Sequence, residues 1–270
     1  MPNPWELTVN RQHLLGVMID PVTIDDMHQV ISEAIHNNER RIIANHNLHS
    51  IYLYHHNFQL RKFFAQAHTI HADGMALVFL GKLLGLPLRR EHRTTYVDWV
   101  RPLMAEATHQ NWRIFYLGSK PGVAKQGADI LRREFPSLQI KTAPGYFNPE
   151  PDSLDNKAVL ENINAYHPDI LMVGMGMPRQ ELWIGDNLPA IPANAIITSG
   201  ACMDYVAGAV PTPPRWMGQV GLEWLYRLLS EPKRLWRRYL LEPWFILWLF
   251  FSELLFQRMA GRKPSKIKNQ

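Results

Sequence analysis

A single cysteine, Cys202, stands in this chain of 270 residues. That excludes an intramolecular disulfide and fits a reducing compartment. No Cys–His pairing is suggested by its neighbouring sequence, so Cys202 reads as structural rather than as a catalytic thiol. Met1 to Arg11 holds no long apolar stretch; no secretory signal is expected, and the protein is expected to stay in the cytoplasm. No internal repeat and no low-complexity segment is visible. Long apolar runs are also scarce: Pro243 to Phe251 is unbroken, but Glu242 and Glu253 bracket it short of the about 20 residues a membrane-spanning helix needs.

With 46% apolar residues, the chain has enough material for a substantial core in one large α/β domain or two small ones. The net charge of +5 hides an asymmetry. From Arg227 to Gln270 there are ten Lys or Arg against three Glu, +7, which leaves 19 basic and 21 acidic residues, −2, for Met1 to Tyr226. Basicity concentrated in the tail points to a local anionic partner, a membrane surface or a diphosphate. It argues against a nucleic-acid protein with charge spread over its fold.

The chain is organised around Met172 to Glu181. An apolar run, Ile170 to Val173, leads into Gly174-Met175-Gly176-Met177-Pro178-Arg179-Gln180-Glu181, a strand, a glycine turn and a helix start. Such a turn makes an anion site, with Arg179, Gln180 and Glu181 at its mouth, or it is an ordinary strand-to-helix turn. Other strands read at His13 to Ile19, Arg41 to Ala44, Thr69 to Ala72, Arg113 to Leu117, Gln139 to Lys141 and Ala195 to Thr198. Helices read from the N-cap Thr23 to Asn37, from about Leu48, over Met75 to Leu84, from Pro121 to about Phe135, and over Lys157 to Tyr166. This alternation predicts a parallel sheet covered by helices.

Five strands end in Asn, Asp, Gly or Ser, and in an open α/β sheet such ends line one crevice. Asn45 and Asn47 are either turn and cap residues or ligand contacts. Asp73 either caps the next helix or places a carboxylate at the crest of the sheet, where a general base belongs. His46, His49, His55 and His56 invite a metal reading, but no carboxylate or Cys accompanies them at ligand spacing.

Past Pro211 the composition changes. Gly221 to Leu229 and Lys233 to Leu241 read as helices, the second with Ser230 as its cap and Pro232 in its first turn. Arg234, Arg237 and Arg238 share a face, which is either solvated or suited to a phosphate or diphosphate. Pro243 to Phe251, extended by Leu254, Leu255 and Phe256, reads as an interfacial helix in lipid headgroups, with burial in an oligomer interface as the alternative.

Asn45-His46-Asn47, Asp73-Gly74-Met75, Val173 to Glu181, Gly221-Leu222-Glu223-Trp224-Leu225-Tyr226-Arg227 and Glu231-Pro232-Lys233-Arg234 occur here in order. In this the chain resembles the WecG/TagA/CpsF family of bacterial glycosyltransferases, from about His13 to Leu240. The resemblance implies a Rossmann-like parallel α/β core of the type called GT-E, here residues 1–210, with a helical membrane-docking appendage at 211–270. It implies inverting transfer of a hexose or N-acetylhexosamine of the ManNAc type from a UDP-sugar to a polyprenyl-diphosphate-linked saccharide. The enzyme would sit peripherally on the cytoplasmic face of the membrane, with a homo-oligomer as one form.

By the same resemblance Asp73 is the catalytic base, taking the proton of the acceptor hydroxyl. Asn47 and Gln180 hold sugar hydroxyls, and Gly174 and Gly176 give clearance for the nucleotide sugar. Arg93 aligns with an Arg of a similar segment, and Arg227, Arg234 and Arg237 with tail arginines that close over the diphosphate. Two departures bear on sugar specificity: the family usually has Thr at Asn45 and Gly at Tyr96. The chain has no Asp-x-Asp, the usual carrier of a metal on a nucleotide diphosphate, so transfer without metal or other cofactor is expected. The competing functions are a nucleotide-binding oxidoreductase using Gly174-x-Gly176, whose third fingerprint glycine is replaced by Arg179, and a non-catalytic membrane scaffold.

Overall fold

The computed structural model describes residues 10–259 except 213. Arg262, Lys263, Lys266 and Lys268 of the basic tail lie outside these residues, as does nearly all of the N-terminal stretch read for a signal.

A short antiparallel hairpin comes first, β1 (Gln12–Leu14) and β2 (Val17–Ile19). The sequence suggested one strand there; Leu15 and Gly16, both at positive φ, fold it back on itself. Helix α1 (Ile24–His36) starts at the expected cap: Thr23 Oγ1 accepts from Asp26 N at 3.2 Å, and the Asp26 carboxylate accepts from Thr23 N at 2.8 Å. That is a reciprocal capping box. Then follow β3 (Arg41–His46), α2 (Leu48–His56), α3 (Phe58–Gln66), β4 (Thr69–Ala72), α4 (Met75–Leu83), α5 (Tyr96–His109), β5 (Arg113–Gly118) and α6 (Val123–Glu134). The core closes with β6 (Gln139–Ala143), α7 (Leu154–Tyr166), β7 (Ile170–Gly174), α8 (Arg179–Asn187), β8 (Ala195–Thr198) and α9 (Cys202–Val206).

Strands β3 to β8 form one parallel sheet in the order β4-β3-β8-β7-β5-β6. Both faces are covered, so the strands are apolar along their length, and alternate residues serve different cores. Ile43, Ile114, Tyr116, Met172 and Ile197 pack under α1, α5, α6 and α9. Ile42, Ala44, Phe115, Leu171, Val173 and Ile196 pack under α3, α7 and α8. A third cluster joins the hairpin to α4 and the tail, with Leu14, Val17, Ile19, Met75, Leu77 and Ile246 buried. Each large side chain so buried contributes about 1.5–3 kcal/mol.

The tail consists of α10 (Arg215–Val220), α11 (Glu223–Ser230), α12 (Pro232–Trp236), a π-helical turn (Arg237–Leu241) and α13 (Glu242–Met259). Ser230 is not a cap: it ends α11, and Glu231 occupies the N-cap position ahead of Pro232. The short apolar run is also corrected. Pro232–Met259 is a continuous helical stretch of 28 residues, long and apolar enough by length and composition to cross a membrane. Its two glutamates turn inward instead of marking ends: Glu242 Oε2 lies 2.7 Å from His49 Nδ1, and Glu253 accepts from Leu15 N at 2.7 Å. These contacts tie α13 along the core, while Trp244, Leu247, Trp248, Phe251, Leu255 and Phe256 remain exposed.

Candidate active site

Four of the five polar strand ends meet. The ends of β3, β4 and β8 and the turn after β7 border a cavity of about 390 Å³ whose other wall is the tail. The fifth, Gly118-Ser119, does not reach it; Ser119 donates to Asp204 at 2.9 Å instead.

Asp73 sits on the cavity floor. Its backbone N–H donates to His46 O at 2.8 Å, continuing the β3–β4 pairing by one residue, and Gly74 at φ +116 then turns the chain into α4. No side chain caps α4, so the carboxylate is not spent as a cap. It accepts from Asn45 Nδ2 at 3.3 Å and Asn47 Nδ2 at 3.4 Å. Burial raises its pKa, and this outweighs the hydrogen bond from Asn47 and the charges of Arg227, Arg238 and Arg93. A carboxylate raised in this way is better matched to proton abstraction near neutral pH.

The two asparagines are positioned in different ways. Asn45 is buried, with Oδ1 accepting from Thr198 Oγ1 of the neighbouring strand at 2.9 Å. Asn47 is the N-cap of α2, its Oδ1 accepting from Ser50 N at 3.0 Å, which leaves its NH₂ for Asp73. Cap and contact are thus compatible roles of one amide.

Around the turn after β7 the two glycines part company. Gly176, at φ +79 with open space where a Cβ would stand, lines the cavity. Gly174 does not. A Cβ there would overlap the Tyr116 hydroxyl and the Gly200 carbonyl, so it serves close packing, and its reading as ligand clearance is corrected. Gln180 lines the cavity but is fully buried; its Oε1 accepts from Gly200 N at 3.1 Å, and its Nε2 donates to Glu181 at 2.7 Å.

Arg93 borders neither of the cavities described here. Its guanidinium donates to Asp98 at 2.6 Å and to Glu223 at 2.7 Å, fastening the core to α11. Tyr96 forms part of the wall, with its hydroxyl committed to the Thr198 carbonyl. Cys202 also borders the cavity, but burial pushes its thiol up to about 12, so it stays protonated. The histidines have separate partners: His46 stacks on Phe64 with its Nδ1 near Ser50, His49 meets Glu242, His55 meets Leu15 O and His56 meets Tyr52 O.

From the tail come Arg227, Arg234, Arg237 and Arg238. Arg234 is paired with Glu231 at 2.6 Å, and Arg237 lies over the Trp236 ring. Arg227, over the Tyr205 ring at 5.8 Å, and Arg238 form no ion pair among the described residues. Two guanidiniums that form no ion pair face the cavity beside Asp73, a candidate site for an anion. The sequence put Arg238 on a face with Arg234 and Arg237 suited to a phosphate or diphosphate, but the family resemblance carried over only Arg227, Arg234 and Arg237; Arg238 also lines the cavity. The π turn that carries it widens the helix at this point, as such turns do at functional sites.

A second cavity, of about 450 Å³, opens on the other side of Asp73, between α4 and the tail. The two share Asn47, His49, Asp73, Glu223, Arg227, Arg238 and Glu242.

A parallel α/β sheet with a carboxylate of raised pKa at its strand ends, and arginines in no ion pair across from it, makes a candidate site for an anionic substrate. Residues 12–260 match the family described as "Glycosyl transferase WecG/TagA/CpsF family", and the chain belongs to that family. It is 30% identical over 210 residues, covering 76% of each chain, to the N-acetylglucosaminyldiphosphoundecaprenol N-acetyl-beta-D-mannosaminyltransferase of Bacillus spizizenii. The oxidoreductase alternative falls with the family assignment and with Gly174, which is packed and not open to a ligand.

Proposed function

We propose that the protein transfers an N-acetylmannosamine-type sugar from its UDP derivative to a polyprenyl-diphosphate-linked saccharide, with inversion at the anomeric carbon. The observation that carries this reading is Asp73, a desolvated carboxylate at the floor of a cavity roofed by arginines, two of which, Arg227 and Arg238, form no ion pair among the described residues. The acceptor hydroxyl attacks the anomeric carbon as Asp73 takes its proton; the bond from that carbon to the diphosphate oxygen breaks, and UDP leaves with the electron pair. Arg227, Arg234, Arg237 and Arg238 meet the negative charge as it grows, which is where fixed positive charge lowers the barrier most. Guanidiniums supply that charge without a divalent cation. Asn45, Asn47, Gly176 and the Gln180 wall shape the sugar end of the pocket.

In this reading residues 1–210 hold the chemistry, and 211–270 complete the anion site and dock on the cytoplasmic face of the membrane. The exposed Trp, Leu and Phe side chains of α13 support docking in the headgroup region, and the inward-facing Glu242 and Glu253 favour a helix lying along the core over one that spans. The enzyme is tested by supplying a panel of UDP-sugars with a short-chain prenyl-diphosphate-GlcNAc acceptor and reading product mass and anomeric configuration. Transfer of ManNAc with inversion, persisting in excess chelator, is the expected result. Retention of configuration, or no transfer from any donor, overturns it, the latter in favour of a scaffold. Removal of 243–270 should abolish co-flotation with anionic liposomes; unchanged flotation refutes docking through α13.

A further inference from the structure

The two cavities that meet at Asp73 differ in chemistry. The first holds Arg234 and Arg237, which the second does not reach. The second is walled by Met75, Ala76, Phe79, Val220, Trp224 and Pro243, and its charged groups are only those shared at the junction. At the junction Glu223 is held by Arg93 and Glu242 faces His49, so a ligand there meets Arg227 and Arg238 beside Asp73 at one end and mostly hydrocarbon along the rest. That pattern suits an amphipathic molecule with an anionic head and an apolar chain. A ribose or a nucleobase finds few hydrogen-bond partners along those walls.

Gly221, at φ +80, turns the chain where the tail meets α4, and a Cβ there would make ordinary contacts, 3.5 Å from Phe79 Cε2 and 3.6 Å from Met75 Cβ. Gly74 leaves open space beside Asp73 where a Cβ would otherwise stand. Phe79, Val220 and Trp224 are 45%, 54% and 41% exposed, a large solvent contact for apolar side chains, so the apolar end of the groove opens to the surface. Leu83 on α4 and Trp216 on α10 are exposed as well.

We propose that this second cavity is the acceptor subsite: it takes the diphosphate and first isoprene units of the lipid-linked acceptor, with Arg238 and Arg227 at the diphosphate and the chain running between α4 and the tail over Met75, Phe79, Val220 and Trp224. The inference rests on the transferase reading above and divides it. The donor diphosphate lies in the first cavity, the acceptor diphosphate at the junction, Arg227 and Arg238 face both, and Asp73 stands where the two substrates meet. The bilayer then delivers the acceptor sideways, so that only its headgroup and first isoprene units have to leave the lipid.

Farnesyl diphosphate is the probe, titrated against the full chain by calorimetry and by Trp fluorescence, with saturating UDP present. The wild type should bind it with UDP in place and should bind inorganic pyrophosphate at least tenfold more weakly. Ala76→Trp, which fills the groove, and Phe79→Asp, which charges a partly exposed wall, should each weaken farnesyl diphosphate at least tenfold while UDP affinity stays unchanged. That unchanged affinity also reports that the variants are folded. Displacement of farnesyl diphosphate by UDP, pyrophosphate binding equal to it, wild-type affinity in both variants, or no binding at all overturns the proposal. Binding as described in a protein that transfers no sugar would leave the groove standing and overturn the transferase reading instead.

Discussion

The Asn47 amide donates to the Asp73 carboxylate at 3.4 Å while its oxygen caps α2 through Ser50 N at 3.0 Å. One side chain thus serves local helix stability and the electrostatics of the Asp73 carboxylate, and substitutions separate the two. Asp is as good an N-cap as Asn, so Asn47→Asp should keep the thermal midpoint. A second carboxylate beside Asp73 raises the Asp73 pKa further, and the acid limb of the pH–rate profile should move to higher pH. Asn47→Ala should instead lose about 1 kcal/mol of stability as well, read by thermal denaturation.

Replacing the proposed base outright gives the sharpest kinetic test. Asp73→Asn keeps shape and hydrogen bonding, so UDP affinity should hold while kcat falls by about 10²–10⁴. In the wild type, burial holds the Asp73 pKa above its ordinary value, and the base works only when deprotonated. Activity should therefore fall as pH drops through a point above the usual carboxylate range near 4. An acid limb at or below that range would remove Asp73 from the role.

Arg227 and Arg238 form no ion pair among the described residues, so their removal should tell on catalysis more than on folding. Arg238→Ala should lower kcat/KM by about 10²–10³, the scale for one charge-stabilising donor. Arg234→Ala, whose guanidinium is already engaged by Glu231, should cost less. Steady-state kinetics of the two variants at equal thermal stability checks the order.

Glu181 offers a stability test independent of activity. It is buried, its Oε2 has no partner, and burial raises its pKa from 4.5 to about 7 against the hydrogen bond from Gln180. Between those values the folded state holds a proton that the unfolded chain has lost, so stability falls as pH rises through that window. Linkage sets the loss at up to roughly 3 kcal/mol by pH 7. Denaturant titrations should show this slope, and Glu181→Gln should flatten it.

The two glycines of the central turn should respond differently to alanine. Gly174→Ala drives a Cβ into the Tyr116 hydroxyl and the Gly200 carbonyl, and should destabilise by about 1–3 kcal/mol. Gly176→Ala meets no atom but requires positive φ, so its cost is conformational, and its kinetic effect should be read at the donor, as a rise in the KM for the UDP-sugar.

Much of this was legible in the chain itself. Strand ends at Asn45, Ala72 and Thr198, the Thr23 cap and the alternation of apolar runs follow from local preferences, which neighbouring residues alone decide. So did Asp73 as a candidate, though its two readings parted only when α4 proved to begin at Gly74 without a side-chain cap. Helix α5 was overlooked despite the helical spacing of Tyr96, Trp99, Val100, Leu103, Met104 and Ala107, all buried on one face. Arg93 looked like a ligand contact because its partner Glu223 lies 130 residues away, a distance no local pattern can report.

The sequence by itself determined the class of fold, the crest of polar strand ends and the family, because these depend on periodicity and on motifs read along the chain. Tertiary structure alone decided which of those residues meet. It joined Asn47 to Asp73, packed Gly174 shut while leaving Gly176 open, and brought Arg238 to the Asp73 cavity on a turn of π-helix. It also turned Glu242 and Glu253 from the apparent ends of an apolar run into anchors of a 28-residue helix on the core. The physical reason is that burial, charge and hydrogen bonding act through space. Their partners are chosen by the packing of tail on core, which is set by apolar surfaces far apart in the chain.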